Sequence, residues 1–145
     1  MASALKGQVG VEFFFVIAFI LLLAISFTTT MESEVAQTKE LNRATLAKTV
    51  SDAVSHAINI VALQGNGAAT RMQEFIPSET LCLQYNATSQ KLYCTVAGVG
   101  TVSGPELYAA PTVNASCFPS GEQGWLLISV NNTAGSVGVY CSSVG

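Results

Sequence analysis

One carboxylate in the sequence lies where a charge is costly, and its position raises the main chemical question about the chain. Glu12 is the only charged residue of the apolar segment at residues 9–27, VGVEFFFVIAFILLLAISF. Moving a charged side chain into hydrocarbon costs roughly 3 kcal/mol on insertion scales. A buried carboxylate stays ionised only when a cation pairs with it. We therefore expect Glu12 to have a specific role and a positively charged partner.

The other residues with reactive side chains lie in the C-terminal half. The four cysteines there lack the close Cys-x-x-Cys pair that a zinc site or a redox motif usually has. Three Asn-x-Ser/Thr sequons share the region and can accept N-linked glycans. Together these features favour two disulfides and an oxidising compartment outside the cytosol. The cysteines are Cys82, Cys94, Cys117 and Cys141, and the sequon asparagines are Asn86, Asn114 and Asn131.

No combination of residues predicts a catalytic or metal site. The only histidine, His56, falls within a predicted helix, where we expect it to be partly exposed and to pack against the rest of the domain. Residues 65–67, Gly-Asn-Gly, lack the preceding strand and the following Lys-Ser/Thr of a phosphate loop. The acidic residues of the C-terminal half are too far apart for a calcium loop; they are Glu74, Glu79, Glu106 and Glu122. We expect no catalytic residue, metal or cofactor, and no enzymatic activity.

Length and composition exclude several kinds of protein. With 145 residues, the chain fits one ordinary domain and a tail, which excludes a large enzyme with separate substrate and cofactor domains. Charged residues make up 10% and hydrophobic residues 50%, too apolar for a disordered chain and too polar for a multi-span membrane protein. The net charge of −3 and the scattered Lys and Arg form no basic patch, so we expect no nucleic-acid partner.

The apolar segment has three interpretations. A secretory signal peptide would use Lys6 as its basic end and the small-x-small sequence at residues 24–26 as its cleavage site. A signal anchor usually has more than one basic residue on its cytoplasmic flank. Neither interpretation gives Glu12 a role. In the third, Glu12 is the functional residue of a helix that stays in the mature protein.

The residues around Glu12 resemble a known kind of leader. Residues 6–13, Lys-Gly-Gln-Val-Gly-Val-Glu-Phe, resemble the class III signal peptide of archaeal type IV prepilins, in which a basic leader ends in Gly, cleavage exposes Gln, and Glu is the fifth mature residue. The resemblance covers residues 6–27, although Gly10 stands where the family often has Ser. It implies that a prepilin peptidase cuts between Gly7 and Gln8, on the cytoplasmic side of the apolar segment. Archaellins share a related leader but typically lack this Gln and Glu pattern, so an adhesive pilus is favoured over a motility filament.

Cleavage at this bond provides a partner for Glu12. It creates an α-amino group on Gln8 with a reference pKa of about 7.7–8.0. In one helix Gln8 and Glu12 are four residues apart and share a face. The resemblance also implies pairing between neighbouring subunits, with Glu12 and Phe13 as assembly residues in a filament core. Because desolvation roughly cancels the attraction, we expect the ion pair to set register more than to add stability.

The sequence predicts one long helix followed by a separate head. Nothing interrupts a helix from about residue 8 to residue 64, which would be about 85 Å long. We expect residues 1–7 to be the cleaved leader, residues 8–30 to span the membrane or form the filament core, and residues 31–64 to be an amphipathic continuation. Packing onto the head is favoured for residues 46–63, where apolar side chains recur with a helical period. Gly65 and Gly67 end the helix.

Residues 65–145, here called the head, are predicted to be an extracellular, disulfide-stabilised, β-rich domain. Short runs at residues 81–85, 91–97, 125–130 and 137–141 predict antiparallel strands. A hairpin at residues 86–90 would bring Cys82 and Cys94 together, leaving Cys117 and Cys141 to pair, although the sequence leaves the other two connectivities open. Trp125 is expected in the core beside a disulfide. The predicted fold is α+β: a long N-terminal helix packed on a small antiparallel sheet, as in pilins.

Two functions remain after these exclusions. The first is a structural subunit of an archaeal type IV pilus, inserted in the membrane before assembly, cut by the prepilin peptidase, and polymerised with copies of itself at the cell surface. Its sequons are expected in or near loops, where N-glycans project into water. The second is a secreted or membrane-anchored binding module, stabilised by disulfides, that does not polymerise.

Overall fold

The fold combines one long helix with two β-sheets. The structure, a computed structural model, describes residues 2–117 and 123–144, with side chains from residue 10 onward. Helix α1 is followed in the described residues by seven strands and one short 3-10 turn, Ala115–Cys117. The predicted α+β class is confirmed. The elements are α1 Ala2–Gln64, β1 Ala69–Ile76, β2 Thr80–Asn86, β3 Lys91–Val96, β4 Gly100–Glu106, β5 Pro111–Val113, β6 Gly124–Thr133 and β7 Ser136–Ser143.

Helix α1 ends where glycine permits the chain to turn. Gly65 and Gly67 have φ angles of 85° and 88°, in the left-handed region that side chains disfavour. Before that point the polar residues of the helix are compatible with a continuous backbone. The Thr28 hydroxyl donates to the carbonyl of Ile25 at 2.9 Å, and the Ser26 hydroxyl donates to the carbonyl of Leu22 at the same distance. A hydroxyl that donates to the preceding turn in this way needs no hydrogen bond to water.

The chain divides into two compact units, Met1–Lys39 and Glu40–Gly145. The second half of α1 therefore belongs to the same compact unit as the head. The sequence placed the start of the head at residue 65, after the helix. The unit begins earlier because the buried core includes side chains of α1 from Ala47 onward.

The strands form two sheets, whereas the sequence predicted one. The four-stranded sheet has the order β1-β6-β7-β5, and the three-stranded sheet has the order β2-β3-β4. All strand pairs are antiparallel except β5 with β7, which is parallel. The predicted runs correspond to β2, β3, β6 and β7, while β1, β4 and β5 were not predicted. Their sequences explain this: β1 contains exposed polar residues, β4 contains Gly104 and Pro105, and β5 has three residues.

One face of α1 contributes to the hydrophobic core. Val50, Val54, Ile58 and Val61 are each at most 1% exposed, as the predicted apolar stripe requires, whereas Leu46 is only half-buried. The three-stranded sheet contributes Cys82, Leu83, Leu92, Cys94 and Val96 to this core, and the four-stranded sheet contributes Ile76, Leu126, Ile128, Val130, Val137, Val139 and Cys141. Both sheets therefore pack on the second half of α1.

Strand β4 approaches α1 unusually closely at Gly104. A Cβ atom at this position would lie 2.7 Å from the backbone oxygen of Ser51 and 2.5 Å from the hydroxyl oxygen of Ser55. Both serines are fully buried. The Ser51 hydroxyl donates to the carbonyl of Leu92, on the neighbouring strand β3, at 3.0 Å. Small residues on both elements therefore allow the strand to rest directly on the helix backbone.

Replacing Gly104 with alanine tests this contact. Because backbone atoms cannot move aside as side chains do, we expect Gly104→Ala to lower the free energy of unfolding by about 1–3 kcal/mol. Denaturant unfolding with the disulfides intact measures the change. Gly124→Ala is the matched control, since its added Cβ meets nothing within 4 Å. Equal stability of the two variants would contradict the close approach.

Candidate functional site

The apolar part of α1 exposes its side chains in every direction. Every large apolar side chain between residues 11 and 27 is exposed, from 38% at Ile17 to 75% at Phe14. An apolar stripe on one face would suit a helix lying on a protein core, whereas apolar residues all round require burial on every side. The helix is long and apolar enough to cross a membrane. The predicted transmembrane helix is confirmed in this sense of length and composition.

Glu12 lies within this apolar surface. Its side chain is exposed, and the residues three and four positions later on the same helix face are Phe15 and Val16. The sequence contains no Lys or Arg between residues 7 and 38. The nearest basic residue in the sequence is Lys6, six positions before Glu12, a spacing that does not place two side chains on the same face of a helix.

The predicted cleavage site lies at the edge of what the structure describes. Gly7 and Gln8 fall within α1, but their side chains lie outside the described residues. Phe13, predicted to act in assembly together with Glu12, is 64% exposed. Because both residues belong to α1, helical spacing places Gln8 about one turn before Glu12.

The head contains two disulfides, with the pairing preferred from the sequence. Cys82 bonds to Cys94 and Cys117 bonds to Cys141, with Cα–Cα distances of 4.0 and 4.9 Å. All four cysteines are buried in the core. The first disulfide joins β2 to β3, and the second joins the turn after β5 to β7. Such bonds are typical of proteins that fold in an oxidising compartment.

The three sequons differ in their surroundings. Asn86 and Asn114 are exposed, and each accepts a backbone hydrogen bond at 2.9 Å from the residue two positions later. Asn131 lies instead within β6, opposite Ala69 of β1 and Gly138 of β7, and is only half-buried. The Asn131 sequon ends at Thr133, the last residue of β6, directly before the turn that leads to β7. Strand β6 continues through this sequon because β1 and β7 hydrogen-bond to it on both sides.

Trp125 was expected in the core, and this expectation is wrong. The side chain is 52% exposed, and its ring meets that of Phe75 edge-on with centroids 5.4 Å apart. Residues of β6 alternate between the two faces of the sheet, and Leu126 and Ile128 take the buried face. Trp125 therefore points to the outer face.

The charged side chains of the described residues are scattered rather than clustered around a metal site. In the described part of the chain, no group of three His, Cys, Asp or Glu side chains is placed to hold a metal ion. Glu79 forms an ion pair with Arg43, and Lys48 forms one with Asp52 along α1. His56 and Glu106 are exposed. Glu122 lies outside the described residues.

Comparison of the chain with family models, with curated proteins and with solved structures finds no match.

Sequence reasoning missed a polar surface on the outer face of the three-stranded sheet. Lys91 and Tyr93 of β3 are half-buried, while the intervening Leu92 and the following Cys94 are fully buried. This alternation of buried and accessible positions is the signal that could have revealed it.

Partial burial changes the pKa of one described carboxyl group, that of Glu74. It lies on β1 opposite Leu126 of β6 and is half-buried. Burial disfavours the charged form and raises the pKa of the Glu74 carboxyl above its usual range. The fold therefore binds this proton more tightly than the unfolded chain does. Stability from the protonated group is fully present below the unfolded pKa and is lost as pH rises through the higher pKa of the folded state.

Glu74→Gln removes this titration. We expect the variant to be more stable than the parent protein at about pH 7, with the difference disappearing at about pH 3, below the unfolded pKa of about 4.3. Thermal unfolding at a series of pH values measures the effect. Glu106→Gln, at an exposed position at the end of β4, is the matched control for the loss of a carboxyl group. The assignment fails if the Glu74→Gln difference is the same at both pH values.

Proposed function

We propose that the chain is a structural subunit of an extracellular filament of the archaeal type IV pilus kind. In this proposal a prepilin peptidase cuts between Gly7 and Gln8 while the chain is in the membrane. The apolar helix then leaves the bilayer and packs with the helices of other copies. The disulfide-bonded head faces the exterior, and exposed sequons carry N-glycans.

The observation that carries this proposal is the isolated carboxylate on a helix that is apolar on every side. An apolar helix alone would suit a membrane anchor or a secretion signal equally well. Glu12 is costly in either of those roles, because lipid offers it no cation and the sequence supplies none between residues 7 and 38. A protein filament core replaces lipid by other subunits, each of which brings the amino group of its own Gln8.

The ion pair would act on register more than on stability. Desolvation of both charges offsets most of their attraction, so a correctly formed pair adds little net free energy. A subunit displaced along the filament axis would leave both charges buried and unpaired, which is expensive. Apolar contacts, including those of Phe13, would hold the helices together, and Glu12 would select the one arrangement in which the charge is paired.

The mature N-terminus distinguishes this proposal from its alternatives. Mass spectrometry or sequential degradation should find Gln8 as the first residue of the mature protein. Cleavage near Phe27 would indicate ordinary secretion, and a chain that begins at Met1 or Ala2 would indicate an uncleaved anchor. Both of these outcomes would support a secreted or membrane-anchored binding module and contradict a filament subunit.

Substitution of Glu12 tests the role of the carboxylate. We expect Glu12→Ala and Glu12→Gln to be inserted and cleaved normally but to yield few filaments, because neither side chain provides the charge that pairs with the α-amino group. Electron microscopy of surface filaments, with immunoblotting of membrane fractions, measures both steps. Glu32→Ala is the matched control, since this carboxylate lies on the same helix beyond the apolar segment. Filaments of normal number from both Glu12 variants would refute the proposal.

A further inference from the structure

The outer face of the three-stranded sheet contains a polar groove. Its volume is about 510 Å³, within the range of small-molecule sites in proteins. The groove combines one aromatic ring with hydroxyl groups, one ammonium group and one carboxamide. The lining residues are Asn86, Ser89, Lys91, Tyr93, Thr101 and Ser103.

The strand register brings these side chains together. Tyr93 lies opposite Ser103 of β4 on one side and opposite Gln84 of β2 on the other. Lys91 lies two residues before Tyr93 on the same face of β3 and is paired with Asn86. Asn86 is thus a diagonal neighbour of Tyr93, at a typical separation of about 7–8 Å.

The carboxamide of Asn86 is held in a fixed orientation beside the groove. Its Oδ1 atom accepts hydrogen bonds from the backbone N–H groups of Thr88 at 2.9 Å and Ser89 at 3.1 Å. These bonds occupy the oxygen and engage none of the hydrogens on Nδ2, which is the atom that carries a glycan in an N-linked sequon. The turn therefore orients the attachment point while leaving it available.

The chemistry of the lining matches a saccharide. The hydroxyls of Ser89, Thr101 and Ser103 can both donate and accept hydrogen bonds, as sugar hydroxyls require, and Lys91 adds three donors. The ring of Tyr93 offers an apolar face with a polar tip, which suits the C–H face of a pyranose ring. A peptide or a lipid would need a larger apolar area than one tyrosine provides.

We propose that this groove binds the first sugar residues of an N-glycan carried by Asn86 of the same chain. The inference rests on the glycosylation included in the proposed function. A shallow polar groove would hold a free sugar weakly, because few of its contacts exclude water. A sugar attached at Asn86 is present at a millimolar effective concentration, which makes a weak contact sufficient. Asn114, the sequon residue after β5, does not line this groove.

The accessibility of the glycan to periodate, which oxidises exposed vicinal diols, tests the proposal. Intact protein from the native source is oxidised for increasing times, digested, and analysed by glycopeptide mass spectrometry. The Asn86 glycan should react about three- to tenfold more slowly in the intact protein than in the excised glycopeptide, as expected for one aromatic contact. Tyr93→Ala should remove this protection, whereas Tyr93→Phe should retain most of it because the ring remains.

Controls separate loss of the contact from loss of the fold. Thr95→Ala changes an exposed residue two positions along the same face of β3 and should leave the protection intact. Both disulfides should remain formed in all variants. Equal reaction rates in intact protein and peptide, or protection that survives Tyr93→Ala, would overturn the proposal. An unmodified Asn86 would also overturn it, while the filament proposal would still be decided separately by the mature N-terminus and the Glu12 variants.

Discussion

The structure depends on one constraint: an apolar helix surface that no part of the described chain covers. Large side chains between residues 11 and 27 remain exposed on all sides of α1. Each would gain about 1.5–3 kcal/mol from leaving water, so the combined drive toward lipid or other subunits is far larger than the stability of a typical domain. The final environment of this helix must therefore come from outside the chain. Glu12 lies in the same segment, so this environment must also accommodate a carboxylate.

The compact unit at residues 40–145 has a buried core of its own, to which the apolar segment does not contribute. In this core, one face of α1 packs with residues of both small sheets, and the contact at Gly104 leaves no room for a methyl group. The two disulfides close loops with sequence separations of 12 and 24 residues. Loops of this size contribute about 3 kcal/mol each in the chain-entropy model, a large share for so small a core.

Prediction from the sequence succeeded where local pattern and burial agree. The end of α1 at Gln64, the four strands with clear apolar runs, and the buried face of the helix around Val54 all follow from periodicity and turn residues. Prediction failed where packing against other elements of the fold decides the conformation of a segment. Strand β4 contains Gly104 and Pro105, which disfavour a strand in isolation but suit one that lies at a sheet edge against a helix. Trp125 is exposed because the alternation of β6 assigns the buried face to its neighbours.

The sequence by itself determined the features that depend on spacing along one chain: the apolar segment, the position of Glu12 four residues after Gln8, the length of the helix and the number of cysteines. These follow from helical geometry and composition alone. Only the tertiary structure decided which surfaces form. It divided the strands into two sheets, placed Asn131 inside a strand and Asn86 at the end of one, and assembled the groove around Tyr93. The reason is that strand pairing joins residues distant in sequence, and the register that unites them is set by packing of the whole core.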